Sequence, residues 1–98
     1  MNLTQSGHIL SIVFPGGGTG QVALSDIATI DLETIPAMTV DVDMVFIGLE
    51  NGEFLEVSDE AEGFRDACGW LSDALGIHPP ISGRFPIAEG TSQRAYVR

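Results

Sequence analysis

The stretch that decides the fold is Val40-Asp-Val-Asp-Met-Val-Phe-Ile-Gly-Leu-Glu-Asn-Gly-Glu-Phe-Leu-Glu-Val57. Its first ten residues are rich in β-branched and apolar side chains, which is typical of a strand. Asn51-Gly52 then predicts a two-residue type I′ turn, because both central residues of that turn need positive φ. The apolar residues after the turn return as a second strand. The stretch therefore predicts a tight β-hairpin.

The turn also predicts the register of the hairpin, with Leu49 opposite Phe54. The face of the first strand that begins with Asp41 and Asp43 becomes apolar in its second half. We therefore expect these two carboxylates to be solvated, where their charge discourages unwanted edge pairing. The second half of the strand is expected to be covered on both faces.

One amphipathic helix is predicted after the hairpin. Its apolar stripe consists of Phe64, Ala67, Cys68, Leu71 and Leu75, flanked by Trp70 and Ala74. Its polar face consists of Glu62, Arg65, Asp66, Ser72 and Asp73. Asp59 is the predicted N-cap, with Glu62 as its capping-box partner and Ser58 as the alternative cap. Gly76 is predicted to end the helix, with Ile77 folding back onto it.

Three further strands are predicted before the hairpin, at His8–Phe14, Gln21–Leu24 and Ala28–Glu33. Pro15–Gly20 is predicted to be the loop of a first hairpin, because proline cannot continue a ladder and glycine permits tight turns. Residues 1–7 are polar and are predicted to be frayed.

Together these patterns predict an α+β domain over residues 1–77. Its sheet is a mostly antiparallel meander of about five strands, and the C-terminal amphipathic helix packs on this sheet or plugs it. Residues 78–98 are predicted to be a mildly basic tail interrupted by proline and glycine. Within this tail, either Arg84–Ile87 or Ala95–Val97 could add an edge strand.

The charge of the chain is strongly acidic. Its 98 residues carry fourteen acids, four arginines and no lysine, for a formal net charge of −10. Thirteen of the acids lie within residues 26–73. Nucleic acid and anionic lipid are disfavoured as partners, because both require a basic surface. A basic protein is the expected partner, and the alternative is that the charge only maintains solubility.

The sequence also predicts a compartment. Cys68 is the only cysteine, which excludes an internal disulfide and a cysteine-cluster zinc site. No signal peptide is expected, because the first residues lack basic charge and no cleavage pattern follows. No apolar run approaches the roughly 20 residues that a membrane helix needs. We therefore expect a cytoplasmic protein of bacterial type.

The glycine loop has the spacing of a dinucleotide-binding fingerprint. It reads Gly18-x-Gly20-x-x-Ala23, and Asp41 lies about twenty residues further on. The residues that follow the loop are too few for the helix that this motif requires, and a Walker A loop would need a lysine. A hairpin loop is the favoured interpretation.

Asp41 and Asp43 form a second candidate site, because alternate residues of a strand lie on one face about 7 Å apart. Two such carboxylates could bind a cation or act in acid–base chemistry. Neither His8 nor His78 lies near them in sequence, and Cys68 falls among core positions of the helix. No catalytic residue, metal ligand or cofactor is predicted.

Trp70 is the residue that points most clearly to binding, because aromatic side chains at the edge of a core commonly anchor interfaces. The predicted partner-binding set consists of Trp70, Asp41, Asp43, Glu62, Asp66 and Asp73. The favoured function is a non-enzymatic module that binds a basic protein. One alternative is a small metal- or nucleotide-dependent enzyme that uses the two strand aspartates and the glycine loop. Another is a self-assembling structural subunit that uses the hairpin edge and Trp70.

The order of these patterns resembles a known architecture. The run Val45–Val57, followed by Glu62-Gly-Phe64 and Trp70-Leu71, is similar to small uncharacterised bacterial proteins with a strand meander, a hairpin and a Gly-Phe-initiated helix. Taken with Leu24–Leu32, the order resembles pleckstrin-homology and GRAM-like half-barrels, and the resemblance implies a sheet plugged by a C-terminal helix. The basic lipid-binding loop of the phosphoinositide readers is absent, so that activity is not implied.

Overall fold

Seven β-strands and one α-helix make up the part of the chain that the computed structural model describes, which is residues 1–36, 41–81 and 92–98. The strands are β1 (Asn2–Ser6), β2 (Ile9–Val13), β3 (Thr19–Ala23), β4 (Ile27–Pro36), β5 (Asp41–Leu49), β6 (Phe54–Ser58) and β7 (Ser92–Val97). The helix α1 spans Phe64–Leu75, and a 3-10 turn at Leu24–Asp26 joins β3 to β4. The predicted α+β class, with antiparallel strands and one helix, is confirmed.

The first sheet has the strand order β1-β2-β3 and is antiparallel throughout. The prediction that residues 1–7 are frayed is wrong, because Asn2–Ser6 pairs with β2 along its whole length. Leu3 is only 3% exposed, and its N–H donates to the carbonyl of Glu62 at 2.8 Å. One leucine among polar residues gives too weak a periodic signal to reveal a strand from sequence.

The second sheet has the strand order β6-β5-β4-β7 and is also antiparallel. Its last strand comes from the predicted tail, since Ser92–Val97 pairs with β4. The possible edge strand at Ala95–Val97 is therefore confirmed. The other possibility, Arg84–Ile87, lies outside the described residues.

The turn between β5 and β6 differs from the predicted type. The N–H of Gly52 donates to the carbonyl of Leu49, and the N–H of Leu49 donates to the carbonyl of Glu53. Gly52 has a φ of +89°, whereas no described residue other than glycine has positive φ. This is a three-residue loop, a type I turn closed by a left-handed glycine. Asn51 keeps negative φ, and its Oδ1 accepts a hydrogen bond from the N–H of Glu53 at 2.9 Å.

The third loop residue shifts the hairpin register by one position from the prediction. Gly48, rather than Leu49, lies opposite Phe54. Because side chains alternate between the two faces of a strand, a one-residue shift moves every side chain of β6 to the other face. Phe54 therefore lies on the face of β5 that carries Phe46, and it is 66% exposed. The expectation that the second half of β5 is covered on both faces is wrong, because Phe46 and Gly48 are partly exposed on this face.

The helix begins later than the capping pattern predicted. Gly63 is the N-cap residue, with a φ of +82°, and it has no side chain that could cap the first turn. The carboxylate of Asp59 accepts a hydrogen bond from the N–H of Asp43 instead, at 3.3 Å. The N–H and carbonyl of Glu62 pair with β1. The predicted capping box is wrong because these contacts hold both of its residues away from the helix. A Cβ at Gly63 would lie 2.3 Å from the carbonyl oxygen of Leu3, so this position requires glycine.

The end of the helix is as predicted. Gly76 has a φ of +69°, and the N–H of Ile77 donates to the carbonyl of Ser72 at 2.9 Å, which is the Schellman arrangement. Ser72 itself was predicted on the polar face, but it is 2% exposed. Its hydroxyl donates to the carbonyl of Cys68 and accepts from the N–H of Ile81, both at 2.8 Å. These two bonds satisfy the hydroxyl and allow its burial.

The hydrophobic core lies between the two sheets and is closed by α1. Its largest fully buried side chains are Leu10, Ile12, Ile27, Ile30, Val45 and Ile47. The helix adds its predicted stripe, of which Phe64, Ala67, Cys68 and Leu71 are at most 6% exposed. Trp70 is partly buried at the edge of this core, as expected. Leu75, the last residue of the predicted stripe, is only partly buried, and Ala74 is exposed.

Candidate protein-interaction surface

The predicted partner-binding residues do not form one surface. Glu62, Asp66 and Asp73 are exposed beside or on α1, and Trp70 is partly buried against the core. Asp41 is partly exposed at the start of β5, and Asp43 is buried. The acidic helix side chains therefore lie on the side of the second sheet that α1 covers. A surface on the other side of that sheet cannot include them.

Asp43 is a structural residue, and the expectation that it is solvated is wrong. It is 3% exposed, and its Oδ1 accepts a hydrogen bond from the hydroxyl of Thr34 at 3.0 Å. Its backbone carbonyl accepts from the N–H of Asp59 at 2.9 Å. Thr34 lies directly opposite it on β4. This neighbour supplies one hydrogen bond to the buried carboxylate and could not be identified from the alternation of β5 alone.

The described residues do not form either of the alternative enzymatic sites, the nucleotide site or the metal site. The glycine loop closes the hairpin of β2 and β3, with the N–H of Phe14 bonded to the carbonyl of Gly18 at 2.7 Å. A strand, Thr19–Ala23, follows where the dinucleotide motif needs a helix. Within the described ranges, no group of three histidine, cysteine, aspartate or glutamate side chains is placed to hold a metal ion.

Cys68 is a core side chain. Burial raises the pKa of its thiol to about 12, and the nearby Arg65 lowers it by less. The thiol therefore stays protonated at neutral pH and is a poor nucleophile.

The second sheet has two unlike faces. Its inner face packs against the core and carries Ile30, Leu32, Thr34, Asp43, Val45, Ile47 and Val57. The alternate residues point away from the core and form the outer face, which consists of Thr29, Asp31, Glu33, Ile35, Val42, Met44, Phe46, Gly48, Phe54, Glu56 and Ser58. All of the outer-face residues are at least partly exposed.

Two aromatic residues and a glycine shape the outer face. Gly48 lies between Phe54 on β6 and Thr29 on β4, and the partly exposed Phe46 comes two residues before it on the same face. A Cβ at Gly48 would lie 2.3 Å from Oγ1 of Thr29, so the hydroxyl occupies the space above the glycine. The outer face also has a shallow cavity of about 260 Å³, which is lined by Thr29, Asp31, Glu33, Phe46, Gly48, Phe54 and Ser92.

The charges of this face are mostly negative. Arg94 of β7 forms two hydrogen bonds to the carboxylate of Asp31, at 2.7 and 3.2 Å. These contacts raise the pKa of Arg94. Arg98 pairs with Glu50 at the margin of the face. Neither of these arginines pairs with Glu33 or Glu56, so two carboxylates flank the aromatic residues without a cation from the described part of the chain.

The sequence pattern missed this surface for two reasons. The face of β5 that carries Phe46 was expected to be covered, and the predicted hairpin register differs by one position from the observed one. Leu49 opposite Phe54 would have placed the phenylalanine on the inner face with Val45 and Ile47. In the observed loop, Oδ1 of Asn51 accepts a hydrogen bond from the N–H of Glu53. Asparagine is common in both kinds of turn, so the sequence does not distinguish the longer loop from the shorter one. Only the observed pairing brings Phe54 to the outer face.

No protein-family model matches this chain, and comparisons with curated proteins and with solved structures give no match either. The pleckstrin-homology and GRAM-like resemblance therefore stays a prediction. In the described part of the chain, no helix has the length and apolar character needed to cross a bilayer.

Proposed function

We propose that this protein is a non-enzymatic, cytoplasmic binding module, and that its outer face recognises a basic segment of another protein. One observation carries the proposal. Exposed aromatic side chains and carboxylates share a sheet face that points away from the core. Phe54 is the most exposed large apolar side chain of the described residues.

The two kinds of residue have different roles in this proposal. Covering an exposed phenylalanine removes apolar surface from water and stabilises a complex by about 25 cal/mol per Å². Phe54 is thus the anchor of the surface. Glu33 and Glu56 attract a cationic partner and disfavour acidic ones, which contributes more to specificity and association rate than to affinity.

Fluorescence anisotropy with defined peptides tests the proposal. The probes are a labelled peptide of alternating arginine and valine and its counterpart of alternating glutamate and valine. We expect only the basic peptide to bind. Its affinity should fall when salt is raised from about 0.1 M to about 1 M, because the Debye length shortens from about 10 Å to about 3 Å.

Matched variants locate the surface. Phe54→Ser should weaken binding of the basic peptide by roughly tenfold, as expected for loss of about 1.4 kcal/mol. Glu33→Gln should weaken it by less, roughly twofold, as expected for one exposed charge. Asp73→Asn removes the same charge as Glu33→Gln from the exposed side of α1, and it should leave the affinity unchanged. The proposal fails if neither peptide binds or if both bind equally. A loss of binding with Asp73→Asn, but not with Glu33→Gln, would indicate that the peptide binds to the acidic side of α1 instead.

A further inference from the structure

β6 is an edge strand of the second sheet, paired with β5 on one side only among the described strands. In an antiparallel ladder, alternate residue pairs exchange backbone hydrogen bonds. Leu49 is bonded to Glu53 and Asp59 is bonded to Asp43 through their backbones. The alternation between these two pairs directs the N–H and carbonyl groups of Leu55 and Val57 towards β5.

The same alternation leaves the backbone groups of Phe54 and Glu56 directed away from the sheet. These two residues also place their side chains on the outer face. An exposed aromatic ring, a carboxylate and a row of backbone donors and acceptors therefore occur together at one edge. Such an edge is a template for an added strand.

The surroundings of this edge are acidic. Glu53 precedes β6, Glu56 lies within it, and Asp59 and Glu60 follow it. All four are exposed. A strand that pairs here must carry positive charge to complement them.

At the opposite edge of the same sheet, the edge strand carries positive charge. β7 pairs with β4 and carries Arg94, and Arg98 follows it directly. These arginines pair with Asp31 of β4 and with Glu50 at the end of β5. The pairing of β7 with β4 is thus an example, within this chain, of a basic strand bound beside acidic residues of this sheet.

We propose that β6 accepts an extended, arginine- or lysine-bearing segment of a partner protein as an additional strand of the second sheet. The inference rests on the proposed function, since it specifies how the basic partner is held. A second copy of this chain is disfavoured as the occupant, because pairing β6 with itself would bring the carboxylates of Glu53 and Glu56 together at a shared edge.

The decisive experiment uses backbone methylation of the peptide probe. Two isomers of the arginine–valine peptide are compared with the parent, one methylated on the arginine nitrogens and one on the valine nitrogens. In a strand, successive N–H groups point to opposite sides, so only one isomer loses the bonds to β6. We expect one isomer to bind like the parent and the other at least roughly tenfold more weakly, since it loses more than one backbone hydrogen bond to β6.

The sensitive isomer also reports the strand direction. With arginines beside Glu56 on the outer face, antiparallel pairing directs the arginine N–H groups towards β6, and parallel pairing directs the valine N–H groups there. Either outcome supports the inference. Equal affinities of the two isomers would overturn it while leaving the proposed function intact, whereas absence of binding by the parent peptide would overturn both.

A comparison of two protein variants separates the effect of the Glu56 charge on binding from the effect of its backbone N–H. Glu56→Gln removes only the charge, and Glu56→Pro also removes the outward N–H, which edge strands tolerate. We expect Glu56→Pro to bind the parent peptide at least roughly threefold more weakly than Glu56→Gln does. Far-ultraviolet circular dichroism verifies that both variants are folded. Two folded variants of equal affinity would contradict pairing at this edge.

Discussion

The two faces of the second sheet are built from the same strands and differ in nearly every physical respect. On the inner face, Ile30, Val45 and Ile47 are at most 2% exposed and pack within the core. On the outer face, Phe54 is 66% exposed and shares the face with the carboxylates of Glu33 and Glu56. Adjacent residues of one strand therefore have different roles. The inner residue stabilises the fold, and the outer residue is available to a partner.

The two edges of this sheet repeat the contrast. At one edge, the arginines of the C-terminal segment satisfy acids of β4 and β5. At the other, the acids around β6 have no partner among the described arginines of that segment. Net charge alone therefore does not identify a binding surface. What matters is where the acids lie relative to the chain's own cations.

The largest expected effect is loss of stability from truncation on the inner face. Ile47→Ala should lower the free energy of unfolding by about 3 kcal/mol, because the surroundings of a buried side chain close only partly around the cavity. Urea denaturation measures the change. Val97→Ala, at a 63% exposed position of the same sheet, is the control and should change stability by less than about 0.5 kcal/mol. Similar losses in the two variants would contradict the described core.

The contact between β1 and the helix start gives the next largest effect. Gly63→Ala should destabilise the protein by more than 2 kcal/mol, roughly, because a Cβ adds collision with the carbonyl of Leu3 to the strain of positive φ. Gly76→Ala has positive φ as well, but no atom within 4 Å of the added Cβ, and should cost about 1 kcal/mol. Urea denaturation of both separates collision from strain. Equal losses would show that β1 does not pack against Gly63.

The buried polar pair is expected to contribute slightly less. Thr34→Val keeps the shape of the side chain and removes its hydrogen bond to the carboxylate of Asp43, which should cost about 2 kcal/mol. Thr29→Val makes the same change on the outer face of the same strand and should be nearly neutral. Thermal or urea unfolding measures both variants. A neutral Thr34→Val would mean that Asp43 does not depend on this hydroxyl.

The thiol of Cys68 makes stability depend on pH in the alkaline range. Its pKa is about 12 in the folded protein against an ordinary value of 9.0, so the unfolded chain loses this proton first. The stabilising contribution is complete below pH 9 and is lost as pH rises towards 12, by about 1.4 kcal/mol per pH unit. Urea denaturation between pH 8 and pH 10 detects the decline. Cys68→Ala should remove this component of the pH dependence, and an unchanged slope would contradict it.

Much of the fold could be predicted because its signals are local. The stripe from Phe64 to Leu71 and the glycine at position 76 define a helix and its end without reference to other elements. The errors arose where one element depends on another. From sequence, Asp59 has the features of a helix cap, but in the fold its carboxylate accepts a hydrogen bond from the N–H of Asp43. Residues 2–6 look unstructured until β2 and Glu62 supply their hydrogen bonds.

The candidate surface was not predictable for the same reason. The place of Phe54 on it depends on one extra loop residue, and local chemistry at Asn51-Gly52 favours the shorter loop. The acids of the chain could be counted from sequence. Only the pairing of three strands, β4, β5 and β6, shows that Glu33 and Glu56 share a face with Phe54, whereas Asp43 turns into the core.

The smallest expected effect on stability is at Phe54 itself, and it tests the contrast between the faces most directly. Phe54→Ser should change the free energy of unfolding by no more than about 0.5 kcal/mol, because the ring is mostly in water already. The same substitution should weaken peptide binding roughly tenfold. Urea denaturation and anisotropy on one preparation give both values. A large loss of stability would show that the ring belongs to the core, and the outer face would then lose its anchor.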